Sequence, residues 1–302
     1  GTWQVLKALE FGLKPLCVTW RSPVRTEIGS ENLANLISLG VDHVDFSINP
    51  TIEKKFALKA FEVKGSPVIP MHMAIHALPL KIALAFRVPM VLWGENSAFE
   101  YGGSDEELKG YEITRDWIRK YGVTNDTDAT DWVSEDISLS DLWPYTLPDA
   151  AFEKGAGIRG VFLGQFFKWD PLEVYEQSRK NGFKSSEVIK TGIYDFADID
   201  DKFLITIHHW MKWYKFGFTR AWDNLSLEIR AGRITRDEAI ATLSENGPEY
   251  PIEEIKMFCE YVEISLDQFF EICENHRDKN IWSKVDGKWV IDDFLIPDFN
   301  WN

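Results

Sequence analysis

Apolar positions along the first two hundred residues alternate between two periods. Trp3, Leu6 and Leu9 recur at helical spacing and predict a helix from Thr2 that stops at Gly12. Leu16-Cys17-Val18-Thr19-Trp20 follows as a short apolar run, a strand. Helical spacing returns over Glu31–Leu39, with Leu33, Leu36 and Ile37 inward and Gly40 as the stop. His43 to Ile48 reads as the second strand, and Thr51–Lys64 as a helix ended by Gly65. Pro67–His72 is expected as a loop, and Met73–Phe86 as a helix that Pro79 kinks or divides. Met90–Trp93 is a third strand, broken at Gly94. Residues 104–150 are polar and read as an insertion with one helix near Thr114–Tyr121. Gly160–Leu163 is a fourth strand, followed by a helix over Pro171–Asn181 with proline in its first turn.

From Asp200 the texture turns helical. Phe203–Phe216 is long and aromatic, and Leu225–Ala231 follows. Thr235-Arg236-Asp237-Glu238 and Ser265-Leu266-Asp267-Gln268 are capping boxes that open two further helices, with Ile252–Val262 between them. The tail, Trp289–Trp301, carries apolar pairs that suit folding back on the body. The pattern predicts an α/β fold: a doubly wound, mostly parallel sheet with right-handed crossovers over residues 1–199, then an all-helical region over residues 200–302. A βαβ unit wants a strand ahead of the first helix, so the natural protein is expected to start earlier.

Composition narrows the function classes. The 33 basic and 48 acidic residues leave a net charge of -15, which argues against a broad nucleic-acid surface. A small basic pocket is compatible with that balance. No apolar run approaches the roughly 20 residues of a membrane helix, so no membrane insertion is expected. The 3 cysteines, Cys17, Cys259 and Cys273, form no C-x-x-C pair. A reduced, cytoplasmic protein without disulfides or a structural zinc is expected. The 13 tryptophans serve either core packing or stacking on sugar rings.

Three places carry candidate chemistry. The first is the break at Gly94, where Glu95, Asn96, Glu100 and Tyr101 cluster. In open α/β sheets ligands bind beyond the carboxyl ends of the strands, and acids with a carboxamide suit a metal-bound phosphate or a hydroxylated ligand. A plain strand-to-loop junction with solvated acids is the alternative. Lys168, just past the fourth strand, is either a phosphate contact at the same rim or a surface lysine. The third place is His208-His209-x-x-Lys212-x-x-Lys215 on the long helix, with Arg220 close behind. His208, Lys212 and Lys215 share a face, and cations in an acidic chain suit an anionic ligand. A solvated face with a core histidine is the other reading. Adjacent helical histidines diverge by about 100°, which argues against a shared metal. No G-x-S-x-G, H-E-x-x-H or Walker motif supports nucleophilic or zinc hydrolysis.

Several stretches together resemble the N-acetyl sugar amidotransferase family of the PP-loop ATP pyrophosphatases. They are Val18-Thr19-Trp20, Arg25-Thr26-Glu27-Ile28-Gly29, Gly40-Val41-Asp42-His43, Ile69-Pro70-Met71-His72-Met73, Trp93 through Gly103, and Asp198-Ile199-Asp200 through Leu225-Ser226. The likeness runs over essentially the whole chain. The family's S-G-G-x-D-S loop would lie just before Gly1, and its cysteine-rich zinc knuckle further upstream; neither is in this sequence. The resemblance implies a PP-loop nucleotide-binding domain using ATP and magnesium. It implies conversion of an acetamido group of a nucleotide-linked N-acetyl sugar into an acetamidino group, in surface-polysaccharide or nonulosonic acid biosynthesis. AMP transfer to the amide oxygen makes an imidate, and ammonia then displaces AMP. Ammonia is expected from glutaminase and barrel-type channelling partner subunits. On this reading Trp20 and Gly94 border the nucleotide, and Glu95, Asn96 and Glu100 lie near ATP, magnesium or the acetamido group. Lys168 meets the pyrophosphate, and His72, His208, His209, Lys212 and Arg220 face the sugar nucleotide. A PP-loop tRNA-modifying enzyme and a non-catalytic sugar-nucleotide-binding subunit are the alternatives; the acidic balance argues against the first.

Overall fold

The computed structural model describes residues 1–94, 96, 112–152, 155, 157–246, 250–296 and 299. Helix α1 (Thr2–Glu10) leads into β1 (Leu16–Trp20), then α2 (Glu27–Ser38) and β2 (Asp42–Phe46). The two strands pair in parallel, with Leu16 opposite Asp42 and Trp20 opposite Phe46. Helices α3 (Pro50–Lys64) and α4 (Ile69–Phe86) lead to β3 (Met90–Trp93), and α5 (Arg115–Tyr121) precedes β4 (Arg159–Phe162). β3 and β4 form a second parallel pair. The described strands thus form two-stranded sheets, with α4 packed against both β1 and β3.

Helix α4 differs from its expected form. It begins at Ile69, not Met73, so the expected loop over Pro67–His72 is mostly first turn. Pro70 sits where a helix needs no N–H, so it starts the helix instead of preventing it. Pro79 is interior, and the helix runs through it because Ala74, Ala77, Leu78, Leu80 and Ala83 are buried around it. Packing there outweighs the lost hydrogen bond to the Ile75 carbonyl. Among the described residues, α4 alone is long and apolar enough to cross a membrane by length and composition; half of that window is buried inside the protein.

The polar stretch read as an insertion contributes core. Trp132, Ile137, Leu142 and Tyr145 are buried and pack with Phe56, Ile69, Met73 and Leu78 of α3 and α4. Short turns of 3-10 helix at Ala129–Trp132 and Trp143–Tyr145 place them there, so a few large apolar anchors hold an otherwise polar segment.

After α6 (Pro171–Lys180) come α7 (Leu204–Phe216), α8 (Arg220–Arg230), α9 (Arg236–Asn246), α10 (Ile252–Val262) and α11 (Leu266–Asn275). α8 starts five positions before the expected Leu225. The region is not all helix: β5 (Trp282–Val285) and β6 (Lys288–Ile291) form an antiparallel hairpin. Its turn residues Asp286 and Gly287 have φ of 48° and 83°, the double positive φ of a two-residue hairpin. One core joins the two halves of the chain. Phe61 of α3 is fully buried, stacks on Phe269 at 5.0 Å and meets Phe258 edge-on at 5.2 Å.

Candidate functional site

The segment 198–202 is stitched onto the loop that leaves β1. Thr26 N donates to Asp200 O at 3.1 Å, Thr26 Oγ1 to Ile199 O at 2.6 Å, and Lys202 N to Val24 O at 3.0 Å. Gly29 makes this fit possible, because a Cβ there would lie 2.8 Å from Asp200 Cα. The stitching brings Asp198 beneath α7, where its Oδ2 lies 3.3 Å from His209 Nε2. Thr191 Oγ1 also donates to Asp198.

Burial alone would raise the Asp198 carboxyl; the His209, Arg220 and Thr191 partners outweigh it and hold Asp198 well below the usual carboxylate range. Burial lowers His209 in turn, opposed by Asp198. At neutral pH the pair is a carboxylate accepting from a neutral imidazole. Donation through Nε2 leaves His209 Nδ1 with the lone pair. That atom is buried and has no hydrogen-bond partner among the described residues.

The histidines form a continuous group. The His208 and His209 rings lie tilted to each other with centroids 5.2 Å apart, and the His72 ring lies 6.1 Å from His208. Ser66 Oγ and His208 Nδ1 are 3.0 Å apart, and His72 Nδ1 donates to Val68 O at 2.9 Å. Burial pushes His72 down to about 4 and His208 well below its ordinary value, so both rings are neutral. One turn along α4, His76 stands 6.4 Å from Trp93, the last residue of β3. The group therefore reaches the carboxyl end of that strand.

Lys212 and Arg220 converge on Asp223: Lys212 Nζ bonds its carboxylate, and Arg220 Nη1 is 3.6 Å away. The cations are held by an acid, not displayed on a solvated face. Lys215 turns elsewhere, donating to Lys64 O at 3.2 Å, and burial brings it down to about 8.

The remaining expected residues scatter. Trp20 Nε1 donates to Glu53 Oε1 at 2.5 Å, and burial pushes that acid up to about 7 against the pull of the indole. Close by, Ser22 Oγ donates to Asp201 at 3.0 Å, and burial raises Asp201 to about 6. Gly94 packs on Gln4 of α1, and its carbonyl accepts from Gly164 N at 3.1 Å. Asn96 is buried. Lys168 is exposed and pairs with Glu173 at 3.2 Å. Glu95 and Glu100 lie outside the described residues.

The structure thus gathers His72, His208, His209, Lys212 and Arg220, and adds Asp198, Asp223, Ser66 and His76, which sequence reasoning did not single out. Asp198 had a legible signal: an Asp-Ile-Asp-Asp run placed just ahead of a long apolar helix.

Residues 191–294 match the family model described as LPS biosynthesis protein WbpG-like, C-terminal domain. Over that third of the chain the protein is similar to a lipopolysaccharide-biosynthesis family, and the matched segment contains Asp198, His208, His209, Lys212, Arg220 and Asp223. No curated protein matches the chain.

Proposed function

We propose that the protein is an ATP-dependent, AMP-forming amidotransferase that converts the acetamido group of a nucleotide-linked N-acetyl sugar into an acetamidino group in lipopolysaccharide or related surface-polysaccharide biosynthesis. The Asp198–His209 pair carries this reading. It lies within the segment similar to the lipopolysaccharide family, beside the loop leaving β1, with one ring nitrogen able to take a proton.

ATP is a co-substrate in this scheme and supplies the adenylyl group that turns the amide oxygen into a leaving group. The first turn of α1 has no acidic residue and packs on Gly94 at the end of β3, a helix N-terminus that suits a phosphate. Among the described residues no group of three or more His, Cys, Asp or Glu could hold a metal ion. Magnesium held by one or two acids plus the nucleotide's own phosphates needs no such cage.

The chain's residues then have distinct tasks. His209 Nδ1 accepts the proton that ammonia loses on attack, and Asp198 orients the ring and stabilises its charged form. Lys212 and Arg220, positioned by Asp223, face the anionic nucleotide sugar. Ammonia comes from glutaminase and channelling partner subunits.

The test is incubation of the full-length protein with ATP, ammonium and nucleotide-linked N-acetyl sugars, followed by mass spectrometry. The expected product has the acetamido oxygen replaced by imino nitrogen, with AMP and pyrophosphate released. Formation of ADP alone would overturn the reading.

A further inference from the structure

Helix α7 turns most of its large apolar side chains into the core. Trp210, Met211 and Tyr214 are buried, whereas Phe216, at the end of the helix, is 48 % exposed. Gly217 follows with a φ of 71°, and a Cβ there would run into Ile291 Cδ1 of the hairpin, so only glycine fits. The chain turns at that left-handed residue. The Phe216 and Phe218 rings come together there, centroids 5.8 Å apart and planes 26° from parallel. A single exposed phenylalanine is ordinary; a stacked pair set among cations is a formed surface.

The charges around the rings select the ligand. Lys215 Nζ lies 5.4 Å from the Phe216 centroid, and Lys212 Nζ lies 4.8 Å from that of Phe218. Asp223 matches Lys212. Lys215 has no acid partner among the described residues: it donates to Lys64 O, and the nearby Lys64 ammonium adds to the burial that lowers it. Lys64 has no acid partner among the described residues either. In a chain with a net charge of -15, two lysines without a carboxylate beside an exposed aromatic pair suit a ligand that is both flat and anionic. A bare phosphate would use the lysines and ignore the rings. A neutral aromatic would use the rings and leave the charge unmet.

The helix also gives the ligand a direction. His209, Lys212 and Phe216 stand at i, i+3 and i+7, so they share one stripe of α7, spread over about 10 Å at 1.5 Å per residue. In a sugar nucleotide the sugar, the phosphates and the base follow one another in that order. We infer that Phe216 and Phe218 form the platform on which the base of a nucleoside diphosphate stacks, with Lys215 and Lys64 supplying positive charge for its phosphates. Every base has a π-face, so the platform holds a base without choosing among bases. That this nucleotide carries the sugar rests on the function proposed above; that it is flat and anionic rests on the rings and lysines.

The test is isothermal titration calorimetry of the full chain with UDP and with inorganic pyrophosphate, without ATP. UDP should bind more tightly than pyrophosphate. Phe216→Ala should weaken UDP binding about fivefold to a hundredfold, the loss of one stacked base, and leave pyrophosphate binding as it was. Phe216→Tyr, which keeps a flat ring, should retain wild-type affinity. Lys215→Gln should weaken both ligands alike. Thermal unfolding without ligand reports that each variant folds. In the wild type the uracil H5 and H6 signals of bound UDP should move upfield under the ring current of a stacked phenyl group. Equal affinity for UDP and pyrophosphate, or for UDP in wild type and Phe216→Ala, overturns the inference. So does a failure of UDP to bind, or uracil signals that stay in place. UDP binding that ignores Phe216 with acetamidino product still formed defeats this inference alone. Stacked UDP without product from the sugar nucleotide defeats the proposed reaction alone.

Discussion

His209 Nε2 lies 3.3 Å from Asp198 Oδ2, and both groups are largely withdrawn from solvent. The partners that hold Asp198 below its ordinary range make its charge a pH-dependent support of the fold. A depressed carboxyl contributes stability in full above its unfolded value of about 4, and loses it as pH falls toward the native value. Urea unfolding of the wild type should therefore weaken from about pH 4 downward more steeply than that of Asp198→Asn. Equal slopes would show that the pair does not stabilise the folded state.

Glu53 has the opposite sign. Burial raises it to about 7, so the folded state holds its proton more tightly than the unfolded chain does. That contribution is present in full below the unfolded value near 4.3 and is gone once pH passes about 7. Glu53→Gln, which keeps an acceptor for Trp20 Nε1, should gain about 1–3 kcal/mol over wild type at pH 8 and little at pH 4. The Trp20 indole N–H resonance should titrate in the wild type with a midpoint near 7.

Asp223 neutralises two cations in a space where its side chain is 11 % exposed. Asp223→Asn removes the carboxylate on which Lys212 and Arg220 converge. The expected loss is about 3–5 kcal/mol, as for other broken buried pairs. Added salt should restore part of it, and a melting curve indifferent to both substitution and salt would contradict this account.

At Gly29 the Asp200 backbone approaches too closely for any side chain. Gly29→Ala should cost about 1–3 kcal/mol through overpacking. It should also shift the His209 resonance, because Asp198 rides on the displaced segment. A stability change with His209 unmoved would separate the packing from the site.

Phe61 tests the union of the two halves. Its removal to alanine should cost about 3–5 kcal/mol. Far-ultraviolet and aromatic circular dichroism should still report one coincident transition, moved to lower denaturant. Two separated transitions would mean that α3 and the α10–α11 pair fold apart.

Local chemistry made part of this structure readable in advance. The Thr235–Glu238 and Ser265–Gln268 capping boxes both form reciprocally, because each depends on residues three apart. The hairpin at Asp286-Gly287 carried an equally local turn signal that the helical reading of the C-terminal region passed over. His72 and His208, 136 positions apart by their numbers, meet only in the folded chain. Tyr145 is harder still, since it belongs to a stretch whose polarity hides its few buried anchors. The fate of Lys212 could not be read either: helical spacing gave its face, but not the acid on α8 that claims it.

The core around Phe61 bears on what kind of unit residues 191–294 form. That segment matches a family model described as a C-terminal domain. Yet its Phe258, Phe269 and Trp210 bury themselves partly against Ala57, Phe61 and Val68, outside its bounds. Cut out and expressed alone, it would carry a bare aromatic face and tend to clump. Grafting it onto another scaffold would require bringing α3 along.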